Sequence, residues 1–95
     1  FGHAGDGNLH VYVLKDKLSE EEWAKRKNAA MADLYEKAKE LRGQVSGEHG
    51  IGYDKQAQLC ESIGDRTVGL MRGIKAVFDP KGILNPGKVV CGKLE

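Results

Sequence analysis

Gly2-His3-Ala4-Gly5-Asp6-Gly7-Asn8-Leu9-His10-Val11-Tyr12-Val13-Leu14 sets the architecture, because a glycine-rich bend runs directly into a two-residue alternation. Leu9, Val11 and Val13 alternate with His10, Tyr12 and Leu14, the period of a strand with one apolar face. Asn8, His10 and Tyr12 share the opposite face. Asp6-Gly7 ahead of the alternation is a turn signal, so a strand over 9–14 is expected to leave a tight loop that holds His3.

Outward from that strand the pattern changes to helical. Ser19-Glu20-Glu21-Glu22 has capping-box spacing, with Ser19 as N-cap and Glu22 three residues on. Trp23, Ala30, Met31, Leu34, Ala38 and Leu41 recur at helical spacing, and Gly43 suits the C′ position, which predicts a helix from Ser19 to Arg42. Gln44 and Val45 could add a short strand, but the glycines that follow favour a loop through Gly52. Val68, Leu70, Met71, Ile74 and Val77 form a second stripe, predicting a helix from Arg66 to Val77 that stops before Pro80. From Phe78 to Lys88 turn-forming residues dominate, and an ordered extended tail is expected. The fold class is therefore α+β: a short antiparallel sheet packed by two helices. A sheet needs at least three strands for independent stability, and only one or two are legible. The missing strands are expected upstream, and the 1–95 segment is expected to be a single partial domain with a tendency to homo-oligomerise.

The 95-residue length fits one small domain. The chain enters a motif within three residues and has no initiator methionine, which reads as a piece of something longer, with Leu94-Glu95 as a terminal scar. Fifteen basic against fourteen acidic residues give a formal charge of +1, too weak a field to point to nucleic acid. Apolar runs are far shorter than the ~20 residues of a membrane-spanning helix. Cys60 and Cys91 match no CxxC pattern and are too few for a disulfide framework, so a reducing cytoplasm is expected. Neither a dinucleotide fingerprint in its proper order, nor a P-loop, nor a HExxH helix occurs.

Seven of the thirteen glycines fall around two histidine-bearing stretches, Gly2 to His10 and Gly43 to Gly52. A loop between His3 and His10 can bring both imidazoles toward one point. Glu48 lies on the second glycine-rich loop, and two histidines plus a carboxylate form a common set for Zn²⁺, Fe²⁺ or Mn²⁺ with positions left open for substrate or water. Surface histidines in turns are the plainer alternative. His49 points away from its neighbour Glu48 in an extended loop, which suits proton transfer better than ligation. An imidazole with an ordinary pKa of about 6.5 can take a proton from an alcohol whose acidity a cation has raised.

Three segments in order, Gly2 to His10, Ser46 to Gly52 and Phe78 to Lys88, closely resemble the C-terminal part of the FAD-linked oxidases. That family includes the flavin subunit of glycolate oxidase, D-lactate dehydrogenases and D-2-hydroxyglutarate dehydrogenase. The resemblance implies an N-terminal FAD-binding domain elsewhere in the same full-length chain and a C-terminal α/β cap, of which this segment is the end. It implies metal ligation by His3, His10 and Glu48, with zinc as the first choice of divalent ion, and a catalytic base at His49. The expected activity is FAD-dependent dehydrogenation of a small 2-hydroxy acid of glycolate or D-lactate type, with a further electron-transfer partner to reoxidise the flavin and no activity in the segment alone. Asn8 and Tyr12, beside His10, are expected to contact substrate. The third motif is expected to return the chain to the flavin domain, with Asn85 on the cofactor side and Lys88 as its other polar member. A stand-alone metal-binding module and a purely structural interaction domain are the competing readings.

Overall fold

The computed structural model describes residues 1–92, and the α+β class holds. Leu94 and Glu95, read as a terminal scar, lie outside the described residues. The chain divides into two compact units, Phe1–Glu48 and His49–Glu95.

In the first unit, β1 (Gly2–His3) and β2 (Asn8–Leu9) form an antiparallel hairpin around one 3₁₀ turn, Ala4–Asp6. Gly2 faces Leu9 and His3 faces Asn8. The His10 N–H donates to the Phe1 carbonyl at 2.8 Å and extends the same register by one pair. Gly7 closes the bend at φ 66°, a left-handed conformation that glycine adopts without strain. Gly2 is required for a different reason: a Cβ there would collide with the Asn8 backbone carbonyl oxygen. The expected strand over 9–14 is thus shorter than its alternation, because residues 10–14 meet no neighbouring strand among the described residues to extend the ladder.

The helix α1 runs Glu20–Glu40. Ser19 Oγ accepts from the Glu22 N–H at 3.2 Å, as the capping spacing requires. Glu20, Glu21 and Glu22 in the first turn and Lys37 and Lys39 in the last complement the helix dipole. Its end differs by one residue from the expectation. Arg42, at φ 60°, takes the left-handed C′ position, and Gly43 follows as C″, donating to the Ala38 carbonyl at 2.7 Å. With the Arg42 N–H on Lys39 O at 3.0 Å, this is a Schellman motif. Trp23, Ala30, Met31 and Ala38 are half-buried, whereas Leu34 and Leu41 are exposed.

In the second unit, α2 spans Gln56–Phe78 and is interrupted at Gly64 (φ 77°, ψ 164°). The segment after Gly64 is the helix expected from Arg66, but residues 56–63 form an additional helical stretch. Val68 is the only buried apolar side chain among the described residues. Leu70, Ile74, Val77 and Phe78 lie exposed along the same helix.

After α2 the chain turns around one carboxylate. Asp79, almost completely buried, accepts at Oδ1 from the Ile83 N–H (3.0 Å) and at Oδ2 from the Leu84 N–H (3.0 Å) and Lys75 Nζ (2.6 Å). The Lys75 ammonium, aided by those amides and opposed by burial, holds the Asp79 carboxyl below its usual range. The tail then returns along α2. Val89 N–H donates to Gly52 O at 2.6 Å, Gln56 Nε2 to Gly87 O at 2.9 Å, and Lys88 sits 5.2 Å from the Tyr53 ring centroid. Cys60 and Cys91, 31 positions apart, form a disulfide with their Cα atoms 6.4 Å apart. The disulfide departs from the expectation of reduced cysteines, because spacing along the chain does not reveal a tail that doubles back.

Candidate metal centre

The hairpin register decides which side chains meet. His3 and Asn8 are cross-strand partners, Phe1 and His10 are the next pair, and all four side chains project from one face. That face carries the histidines, while Leu9 belongs to the other.

Glu48 brings its carboxylate to this face from 40 residues further along. Its Oε1 lies 2.7 Å from His10 Nε2, 3.2 Å from His3 Nε2 and 2.9 Å from Asn8 Nδ2. Ligand atoms from His3, His10 and Glu48 all fall within 4.8 Å of one another. The imidazole rings meet edge-to-face, centroids 5.6 Å apart and planes at 72°. His10 is the better shielded, its side chain 12% exposed against 58% for His3.

Two imidazole nitrogens and a carboxylate oxygen are a borderline donor set, and their closeness fits one divalent cation of the zinc, iron or manganese type. Both imidazoles turn the same nitrogen, Nε2, to the shared point.

Tyr12 joins the same face through Phe1, whose ring lies nearly parallel to His10 (5.2 Å, 18°) and to Tyr12 (5.6 Å, 20°). Phe1 carries no role in the sequence reading. Its place follows from the register, which puts it opposite His10 and diagonal to Tyr12. Asn8, expected to contact substrate, has its amide on Glu48. A Cβ at Gly47 would overlap the Asn8 carboxamide, so a side chain there would force that carboxamide to move.

His49 begins the second unit, directly after Glu48 and before Gly50 at φ 79°. Asn85 is exposed in that unit at a left-handed position, φ 45°. Among the described residues no helix is long and apolar enough to cross a membrane.

Comparison with known proteins supplies the family. Residues 1–89 match the model described as FAD linked oxidases, C-terminal domain. The chain is 51% identical over 94 residues to a D-lactate dehydrogenase of Anaerostipes hadrus, covering 99% of this chain and 20% of that protein. It is 45% identical over 89 residues to the glycolate oxidase subunit GlcD of Bacillus subtilis, covering 94% and 19%. A D-2-hydroxyglutarate dehydrogenase of Stutzerimonas stutzeri is 40% identical over 90 residues, covering 94% and 19%. The chain spans about a fifth of the length of these relatives. With a family match that covers residues 1–89, the chain belongs to the FAD-linked oxidases and carries their C-terminal domain.

Proposed function

We propose that this chain is the C-terminal part of an FAD-dependent oxidoreductase acting on a small 2-hydroxy acid of glycolate or D-lactate type. The observation that carries the reading is the convergence of His3 Nε2, His10 Nε2 and Glu48 Oε1 from two glycine-rich bends far apart in the sequence. His3, His10 and Glu48 would hold a divalent cation, with zinc the first choice. FAD is assigned to the remainder of the full-length protein, with Asn85 on its side. The names of the relatives support the substrate class. The exposed stripe of Leu70, Ile74, Val77 and Phe78 supports a domain completed by more chain than these residues.

A cation held by His3, His10 and Glu48 would supply acidity to the substrate hydroxyl, and FAD held by the remainder of the protein would supply the hydride acceptor. The residues of this chain do the rest. The His3–His10–Glu48 face orients the carboxylate and hydroxyl of the acid, and Tyr12 on that face lies against the substrate. His49 takes the hydroxyl proton as the Cα–H bond breaks, so that the 2-hydroxy acid becomes a 2-oxo acid. Two electrons and one hydrogen leave with the hydride, and the second hydrogen stays on His49 as a proton.

General-base catalysis contributes typically ~10²- to 10⁴-fold. His49→Ala in the full-length enzyme is therefore expected to lower kcat within that range and leave metal content and substrate binding nearly unchanged. A variant that retained its kcat would remove His49 from the reaction.

A further inference from the structure

We propose that Asn8 is a positioning residue for the metal centre: its carboxamide fixes the Glu48 carboxylate before the two imidazoles, and Gly47 lacks a side chain to leave room for it. The inference rests on the metal-centre reading above and deepens it, moving Asn8 from substrate contact to ligand orientation.

Three observations carry it. The register places Asn8 directly opposite His3, so its side chain emerges on the ligand face. Its Nδ2 lies 2.9 Å from the same Glu48 oxygen that both histidines approach. A carboxylate only accepts, so the atom turned to it is the amide nitrogen. The glycine loop that delivers Glu48 passes so close that any Cβ on Gly47 would overlap the Asn8 carboxamide.

The chemistry distinguishes Asn8 from the two imidazoles at that oxygen. An imidazole Nε2 donates to a carboxylate only while it carries a proton, and a metal-bound Nε2 carries none. The Asn8 N–H keeps its proton in either state. Of the three groups, only Asn8 can therefore hold the carboxylate both before and after a cation binds. A glutamate side chain has several rotatable bonds, and a donor fixed on the hairpin removes that freedom before binding.

The test measures Zn²⁺ affinity of the full-length protein by competition with a chromophoric chelator, with flavin absorbance and melting midpoint as folding controls. Supporting partners of metal ligands are worth ~10- to 100-fold in affinity, which is the loss expected for Asn8→Ala and for Gly47→Ala. The double variant is expected to bind no more weakly than Asn8→Ala alone, because the atoms that a Gly47 methyl would strike have gone. Should one single variant fail to fold, the other still reads the loss. The inference is overturned if folded Asn8→Ala stays within about twofold of the parent while His10→Ala loses the metal. It is also overturned if the Gly47→Ala loss persists undiminished in the Asn8→Ala background. Wild-type affinity in His10→Ala would instead remove the metal-centre reading, and this inference with it.

Discussion

The two units hold their functional ends by different means. In the first, glycine bends bring polar side chains to one carboxylate oxygen, and the contacts around it are hydrogen bonds and ring contacts. In the second, a covalent bond between Cys60 and Cys91 and a turn wrapped around Asp79 secure the tail. A ligand-binding cluster gains from groups that can exchange one partner for another. A returning tail gains from contacts that do not exchange at all.

The largest expected effect that sharpens this contrast is loss of the covalent tie. Closing a loop across 31 positions is worth about 3.7 kcal/mol in the chain-entropy account. Cys60→Ser in the full-length protein should therefore release the tail and leave metal affinity unchanged. Hydrogen exchange checks this by a loss of protection at Val89, whose amide bonds Gly52. Equal loss of protection in the hairpin would break the contrast between the units.

A smaller effect concerns acid. Asp79 titrates lower in the folded chain than in the unfolded one, chiefly because Lys75 donates to it. A group of this kind contributes stability that is complete above the unfolded carboxyl range near 3.9 and is lost as pH falls through the folded value. Exchange at the Ile83 and Leu84 amides should accordingly quicken in that acid window, beyond the intrinsic change with pH. Asp79→Asn should remove the extra dependence, and a profile unaltered by that substitution would contradict the role given to Lys75.

Much of the first unit was legible in the sequence because its determinants are local. Ser19 and Glu22 carry their cap in their spacing, and Gly7 announces its turn. Asn8, His10 and Tyr12 were placed on one face by alternation alone. What alternation left open was the partner strand, so neither Phe1 opposite His10 nor the shortness of β2 could be read. Alternation likewise puts Asn8 on the face where a substrate contact is expected, but its bond to Glu48 depends on a contact across 40 residues. In the second unit, the helix after Gly64 was legible from its stripe. The stretch 56–63 was hidden because it has no side-chain cap and its polar residues break the period. The Asp79 turn and the disulfide are products of a tail folding back, which no local pattern encodes.

The proposed reaction depends on His3 and His10 sharing one bound cation. X-ray absorption on the zinc-loaded full-length protein tests this most directly. A shell with two imidazole nitrogens at about 2.0–2.1 Å, falling to one in His3→Ala, is expected. A shell built from oxygen alone, unchanged by His3→Ala, would contradict it.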